Sequence, residues 1–306
     1  MASRYYYDLN SYFRDLFGQR VHKITVDAGF SCPNRDGTIS TGGCIYCNEQ
    51  GSGTGAYARG LSIREQLEMG KVKVTKRFKA KKFLAYFQSY TNTYAPFKVL
   101  KKVFDDALGI SDVVGLSIGT RPDCVDEPIL NLLSSYTATH LIWLEYGLQS
   151  CHDDTLNIIN RGHDFKCFKS AVKATSNRNI KICAHVILGL PGEDRMKILE
   201  TAKTIAKMGL DGIKLHLLYV IKGTRLHDLY IRRNYRCLEQ TEYVELVCEF
   251  LELLPPKMVI HRLTGDPHPT ELVAPHWALD KYGTLDLIRK RLRSHYSYQG
   301  KYYCQT

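Results

Sequence analysis

Short apolar runs recur along the chain, each followed by a stretch whose apolar positions fall three and four residues apart. That alternation predicts buried strands interleaved with amphipathic helices. The first run, 21–28, alternates Val21, Lys23 and Thr25 against His22, Ile24 and Val26 and reads as a strand. Further strands are expected at 83–88, 113–118, 141–148, 180–188 and 212–220. Helices are expected at 61–69, 96–107, 126–134, 153–160, 164–175 and 195–208. Ser62 with Glu65 three residues on makes a capping-box pattern, and Pro96 and Pro128 stand near helix starts. The aromatic first twenty residues (Tyr5, Tyr6, Tyr7, Tyr12, Phe13, Phe17) read as a packing helix rather than a targeting segment.

Strands alternating with helices predict a parallel sheet with right-handed crossovers. About six βα units fit between residues 21 and 225, too few for an eightfold barrel and enough for a partial one. The expected fold is therefore α/β, a partial (β/α)6 TIM-type barrel. After Gly223-Thr224 the pattern changes to an amphipathic helix at 241–254 ended by Pro255-Pro256, a strand at 258–263 and a basic helix at 280–293. The expected division is an N-terminal helical segment at 1–20, the barrel at 21–225 and a small α/β extension at 226–306. The sequence carries neither a Gly/Ser linker nor an internal repeat.

The hydrophobic fraction of 44% suits a globular core for 306 residues. Ten cysteines without a secretory signal or a long apolar span point to a reducing cytoplasm and no membrane. The net charge of +11 fits either a polyanion partner or a solvated basic surface. Its clustering favours the partner. Lys71, Lys73, Lys76, Arg77, Lys79, Lys81 and Lys82 form one group. Arg289, Lys290, Arg291 and Arg293 form another, followed by His295, Tyr296, Tyr298, Lys301, Tyr302 and Tyr303. Basic residues interleaved with aromatics suit a single-stranded RNA loop.

The densest chemistry lies in one loop after the first strand. Cys32, Cys44 and Cys47 have the spacing C-x11-C-x2-C, with glycines at Gly37, Gly42, Gly43, Gly51, Gly53 and Gly55. Three thiolates can hold one metal centre and leave a position open. A structural zinc takes four protein ligands, so zinc would need a distant fourth such as His22 or another cysteine. A [4Fe–4S] cluster held by three thiolates keeps one iron open. The other seven cysteines form no C-x2-C pair and read as small buried hydrophobes.

In a parallel barrel, function gathers at the C-terminal ends of the strands. There the chain places Gly119-Thr120-Arg121-Pro122-Asp123, Glu145-Tyr146-Gly147-Leu148-Gln149-Ser150, Asn160-Arg161-Gly162-His163 and Gly189-Leu190-Pro191-Gly192-Glu193. Each has a plainer reading: Arg121 to Asp123 as a capped turn, Arg161 paired with Asp153 or Asp154, His216 as a satisfied core histidine. His261, Asp266, His268 and His276 form a polar group that could line a substrate mouth or bind a metal.

In this order, with the cysteine loop first, the motifs resemble the radical S-adenosylmethionine (SAM) superfamily. The nearest resemblance is to the radical SAM half of the elongator catalytic subunit. That subunit shares the Thr-Arg-Pro-Asp turn, the Glu-x-Gly-x-Gln-Ser strand end, the Asn-Arg-Gly-His segment and a long first cysteine gap. The whole chain is similar to a bacterial radical SAM family tied to wobble-uridine modification of tRNA. The resemblance implies a [4Fe–4S] cluster on Cys32, Cys44 and Cys47, with SAM on the open iron as the source of a 5′-deoxyadenosyl radical. It implies Tyr46 beside the SAM adenine, Glu145 and Gln149 at its ribose or amino group, and Arg161 at its carboxylate. The turn from Leu188 to Pro191 would pass the adenine. Gln88 and Ser89 stand where the superfamily has a Gly-Gly-Glu-like element, which this sequence lacks. The expected partners are a tRNA anticodon stem-loop, met by Arg289, Lys290, Arg291, Arg293 and His268, and an electron donor such as flavodoxin or ferredoxin. The expected reaction converts 5-carboxymethylaminomethyluridine to 5-aminomethyluridine. The alternatives are a radical SAM enzyme for a small molecule or peptide, and a non-catalytic zinc or iron–sulfur nucleic-acid-binding protein.

Overall fold

Asp8 caps the first helix, its carboxylate accepting from Ser11 N at 2.7 Å. The helix, α1 (Leu9–Phe17), buries Phe13. In this computed structural model residues 5–48 and 56–304 are described. β1 (Val21–Val26) leads through the cysteine loop to α2 (Ile63–Phe78), β2 (Lys82–Phe87), α3 (Phe97–Leu108), β3 (Val113–Thr120) and α4 (Glu127–Tyr136). The alternation continues with β4 (Leu141–Gln149), α5 (Asp153–Ile158), α6 (Phe165–Thr175), β5 (Lys181–Leu188), α7 (Arg195–Ala206) and β6 (Gly212–Leu217). Then come β7 (Val220–Ile221), α8 (Arg225–Ile231), α9 (Gln240–Leu253), β8 (Val259–Arg262), β9 (Leu272–Ala274) and α10 (Lys281–Ser294). Among the described residues no helix is long and apolar enough to cross a membrane.

The expected partial parallel barrel forms, with one strand more than the six counted in the sequence. Seven parallel strands run in the order β1-β2-β3-β4-β5-β6-β8. The seventh, β8, comes from the segment expected to stand apart as an extension; it pairs with β6 through Gly212↔Val259. The edges β1 and β8 do not pair with each other, and α1 covers both. Two other expectations need correction. The run 212–220 is not one strand: the chain leaves the sheet after Leu217, and β7 pairs antiparallel with β9 instead. α2 runs to Phe78, well past residue 69. Gly70 hid that continuation from the sequence pattern, and packing explains the glycine: a Cβ there would lie 2.3 Å from Ile24 Cγ2 on β1. The capping box forms as expected, with Ser62 N donating to Glu65 Oε2 at 2.8 Å.

Register sorts the inward-facing side chains into tiers. Val21, Lys23 and Thr25 share a face with Leu84 and Tyr86, and the same parity carries through Ser117, Glu145, His185 and Lys214. At the N-terminal ends of the strands Val21, Leu84, Trp143, Cys183 and Val259 form an apolar plug. Above the plug lies a charged tier of Lys23, Tyr86, Ser117, Glu145, His185 and Lys214. Above that the barrel opens into a cavity.

Candidate active site

The cavity, about 530 Å³, sits at the C-terminal ends of the strands, where a parallel barrel carries its chemistry. Cys32, Cys44 and Cys47 all line it, together with Tyr46, Gln88, Glu145, Gln149, Arg161 and His268.

The cysteine loop is fixed from two sides. Asn160 Nδ2 donates to Gly43 O at 2.8 Å, and Asn34 Nδ2 to Asn160 O at 2.6 Å. From α8, Arg225 Nη2 donates to Gly43 O at 2.7 Å and Leu226 N to Ile45 O at 2.8 Å. Gly37, Gly42 and Gly43 hold φ of 92°, 80° and 73°, the left-handed region that glycine takes without strain. Gly51, Gly53 and Gly55 lie outside the described residues. Burial and the neighbouring Cys44 push the Cys47 thiol up to about 11. A thiol raised in this way stays protonated unless a cation draws off its charge, which is what a bound metal centre does.

Arg161 crosses the cavity beside the loop. Its Nη2 and Nε donate to Gly147 O at 2.8 and 3.2 Å, and Nη1 lies 3.6 Å from Cys44 Sγ. Burial opposes its charge, but Cys44 and Tyr46 beside it raise its pKa. Gly147 is small for a reason: a Cβ would stand 2.6 Å from Arg161 Nη2 and 2.8 Å from Gln149 Nε2. Arg161 does not pair with Asp153 or Asp154. Asp153 accepts from Phe165 N, and Asp154 holds Lys197. Arg121 forms a fork on Asp123 and donates to Arg161 O at 2.7 Å, so that turn supports the same arginine. At the end of β2, Ser89 Oγ, Thr91 Oγ1 and Asn92 Oδ1 are buried without a partner. Gln88 and Thr91 of this segment face the cavity. Thr91 thus brings an unpartnered hydroxyl to the cavity wall that also carries the Arg161 guanidinium, polar groups that a ligand with an amino group and a carboxylate could meet.

The structure departs from the sequence reading at several residues. Glu145 does not stand among ligand-facing groups alone. It is fully buried in the charged tier, where Lys23 Nζ lies 2.6 Å and Lys214 Nζ 3.4 Å from its oxygens and His185 Nε2 2.7 Å. Ser117 also donates to it. Burial alone would raise its pKa, but Lys214 and Lys23 hold the carboxyl well below the usual range. The turn after β5 lies outside the cavity: Leu188 is buried, Leu188 O accepts from Leu218 N, Gly189 O accepts from Tyr235, and Pro191 does not line the space. His22, the distant zinc ligand considered, stacks on Phe78 on the outer face of β1, because strand alternation turns it away from the cavity. His216 is not a satisfied core histidine, since its buried Nε2 has no partner. The histidine group divides: His261 turns inward to Glu145, Asp266 and His268 line the rim, and His276 is exposed elsewhere.

The basic residues of α10 also move. The helix starts at the rim, where Lys281 pairs with Asp266 at 2.7 Å, and runs away from it. Arg291 is held by Glu245 and Glu252 at 2.8 and 2.9 Å, and Lys290 by Asp286. The basic half of α2 likewise ends beside the N-terminal ends of the strands. Sequence reading missed a different basic group on and around α8: Arg225 holds Gly43 O of the cysteine loop, Lys222 N donates to Glu271 O at the rim, and Arg232 and Arg233 stand exposed at the end of that helix. The charged tier was missed too. Its signal was a lysine within the otherwise apolar strand Gly-Ile-Lys-Leu-His-Leu, since a charge in a buried parallel strand needs a reason.

The Radical SAM superfamily model matches residues 36–205, and the Radical_SAM C-terminal domain model matches 210–294. The chain is 42% identical over 298 residues to protein YtqA of Bacillus subtilis (strain 168), covering 97% of this chain and 92% of that one. It is 29% identical over 160 residues to elongator complex protein 3 of Homo sapiens, covering 51% of this chain and 29% of that protein. The solved structure of the archaeal Methanocaldococcus infernus Elp3 shares the fold, with a TM-score of 0.69 at 16% identity, covering 91% of this chain and 64% of that one. With a family match over more than half its length and a relative matched nearly end to end, the chain belongs to the radical SAM superfamily, enzymes that use a [4Fe–4S] cluster and SAM and need an electron donor.

Proposed function

We propose that this enzyme modifies the wobble uridine of tRNA, converting 5-carboxymethylaminomethyluridine to 5-aminomethyluridine. The observation that carries the reading is the cavity that joins the three cysteines and Arg161, with the basic group on and around α8 tied to the cysteine loop through Arg225. It is supported by the likeness to elongator complex protein 3. Bound together, cluster and SAM supply a strong hydrogen-abstracting radical. Cys32, Cys44 and Cys47 would hold the cluster, Arg161 the SAM carboxylate and the β2 end its amino group. Tyr46 and Gln149 would border the rest of SAM. The rim residues Lys222, Arg225, Arg232, Arg233 and His268 would take the anticodon loop, whose partly unstacked base enters at low cost. Abstraction from the methylene between nitrogen and carboxylate would leave a carbon radical next to nitrogen; return of one electron from it to the oxidised cluster would give an imine, which water hydrolyses to the aminomethyl nucleoside and glyoxylate. Flavodoxin or ferredoxin would be the donor. Cells lacking the protein should accumulate the carboxymethylaminomethyl nucleoside in tRNA by mass spectrometry. An unchanged wobble-nucleoside profile contradicts the reading.

One observation favours a second reading, a radical SAM enzyme for a small molecule or peptide. The two basic clusters densest in the sequence lie away from the mouth, so the rim alone has to hold tRNA.

A further inference from the structure

The charged tier at the cavity's inner end does not balance. Lys23 and Lys214 face one carboxylate, Glu145. The histidines of the tier do not add a negative charge. Lys23 is the closer cation, 2.6 Å from Glu145 Oε1, and it also donates to Ser117 Oγ at 3.0 Å. It sits behind the carboxylate, outside the cavity lining. Lys214 is looser, 3.4 Å from Glu145 Oε2, and it does line the cavity. Its ammonium hydrogen-bonds Tyr86 and lies 4.4 Å from the centre of that ring. Beside it on β6, His216 lines the same space with Nε2 buried and unpartnered. Arg262 adds a second positive charge to the wall, although Asp266 stands 3.6 Å away. A buried cation without its own counter-ion is costly. An unpaired imidazole nitrogen beside it adds to that cost. One ligand removes both deficits: a terminal anion that accepts from Lys214 and His216.

We propose that Lys214 and His216 form a carboxylate-recognition site at the blind end of the cavity. The inference rests on the substrate reading above, the carboxylate being that of the carboxymethyl group. The plug of Leu84, Trp143, Cys183 and Val259 closes the floor below. A phosphodiester has chain on both sides and cannot reach a blind end, whereas a terminal carboxylate can. Seated there, the carboxylate fixes the adjacent methylene below the cysteine loop.

The test is equilibrium dialysis of cluster-loaded protein against the nucleoside 5-carboxymethylaminomethyluridine and its neutral methyl ester. The acid should bind about tenfold or more tightly than the ester, the worth of one charge-assisted hydrogen bond. Lys214→Met should abolish the preference and His216→Phe should reduce it, with iron content and melting temperature reporting that each variant is folded. If Lys214→Met does not fold, His216→Phe carries the test, because that side chain has no protein partner at Nε2 to lose. Equal or absent binding of acid and ester, or a preference that survives in the folded variants, overturns the site. A preference lost with Lys214 in an enzyme that leaves the tRNA nucleoside unconverted would keep the site and refute the reaction. Conversion with no acid preference would do the reverse.

Discussion

At the residue scale, the proposed reading gives the cluster to the three cysteines and the SAM carboxylate to Arg161. Cys32→Ala, Cys44→Ala and Cys47→Ala should each lose the iron and sulfide that anaerobically reconstituted wild type retains; full retention in any one removes that cysteine from the ligand set. The charged tier also gives a pH dependence. Burial, then Lys214, lowers His185 to about 4, and burial, then Lys23, lowers His261 to about 3. The unfolded chain protonates both near about 6.5, so the folded state binds fewer protons below that pH. Stability should therefore fall as pH drops from about 6.5 towards 4, by up to about 1.4 kcal/mol per unit for each histidine. Glu145, held ionised by Lys214 and Lys23, adds to the loss only below its unfolded value of about 4.3. Urea unfolding at a series of pH values checks this, and His185→Asn should flatten the slope; an unchanged slope would mean His185 titrates normally. The cysteines were legible because their spacing is chemistry in itself. The pairing of Lys214 with His216 was not, because a charge in an apolar strand shows its neighbours only when register says which groups share its face.

At the element scale, the strand ends work because small residues clear space for long ones. Gly147→Ala would put a methyl 2.6 Å from Arg161 Nη2 and push the guanidinium off Gly147 O and Cys44. SAM affinity should fall about tenfold or more, the worth of an interaction with a charged group, while iron content stays. Unchanged SAM affinity would take Arg161 out of the SAM site. Elements were legible where pattern and packing agree, as at α2's capping box and the parallel strands. They were misread where tertiary contact overrides pattern. Gly70 looks like a helix stop and is a packing residue against Ile24. The run 212–220 looks like one strand, yet Leu218 turns to donate to Leu188 O and β7 leaves to pair with β9. β8 could not be assigned to the barrel from sequence because its pairing partner β6 lies more than forty residues earlier.

At the scale of the whole molecule, a net charge of +11 fits a polyanion partner and says nothing of where one would dock. Charge reversal of Lys222, Arg232 and Arg233 together, which leaves the Arg225 bond to the cysteine loop in place, should weaken tRNA binding and reduce its salt slope by up to roughly one unit per lost phosphate contact. Reversal of Arg289, Lys290 and Arg293 should do much less, since these stand on α10 away from the rim. The opposite ranking would place the RNA on the outer helices. The barrel brings together in one cavity the cysteine loop, Arg161 and Lys214, which are spread from residue 32 to residue 214 in sequence. The most direct measurement is an anaerobic assay of reduced, cluster-loaded protein with SAM and tRNA from cells lacking it. The expected result is 5′-deoxyadenosine appearing together with 5-aminomethyluridine as the carboxymethylaminomethyl nucleoside disappears. 5′-Deoxyadenosine formed with that nucleoside left intact would contradict the proposed substrate, and none formed at all would contradict radical SAM activity in this chain.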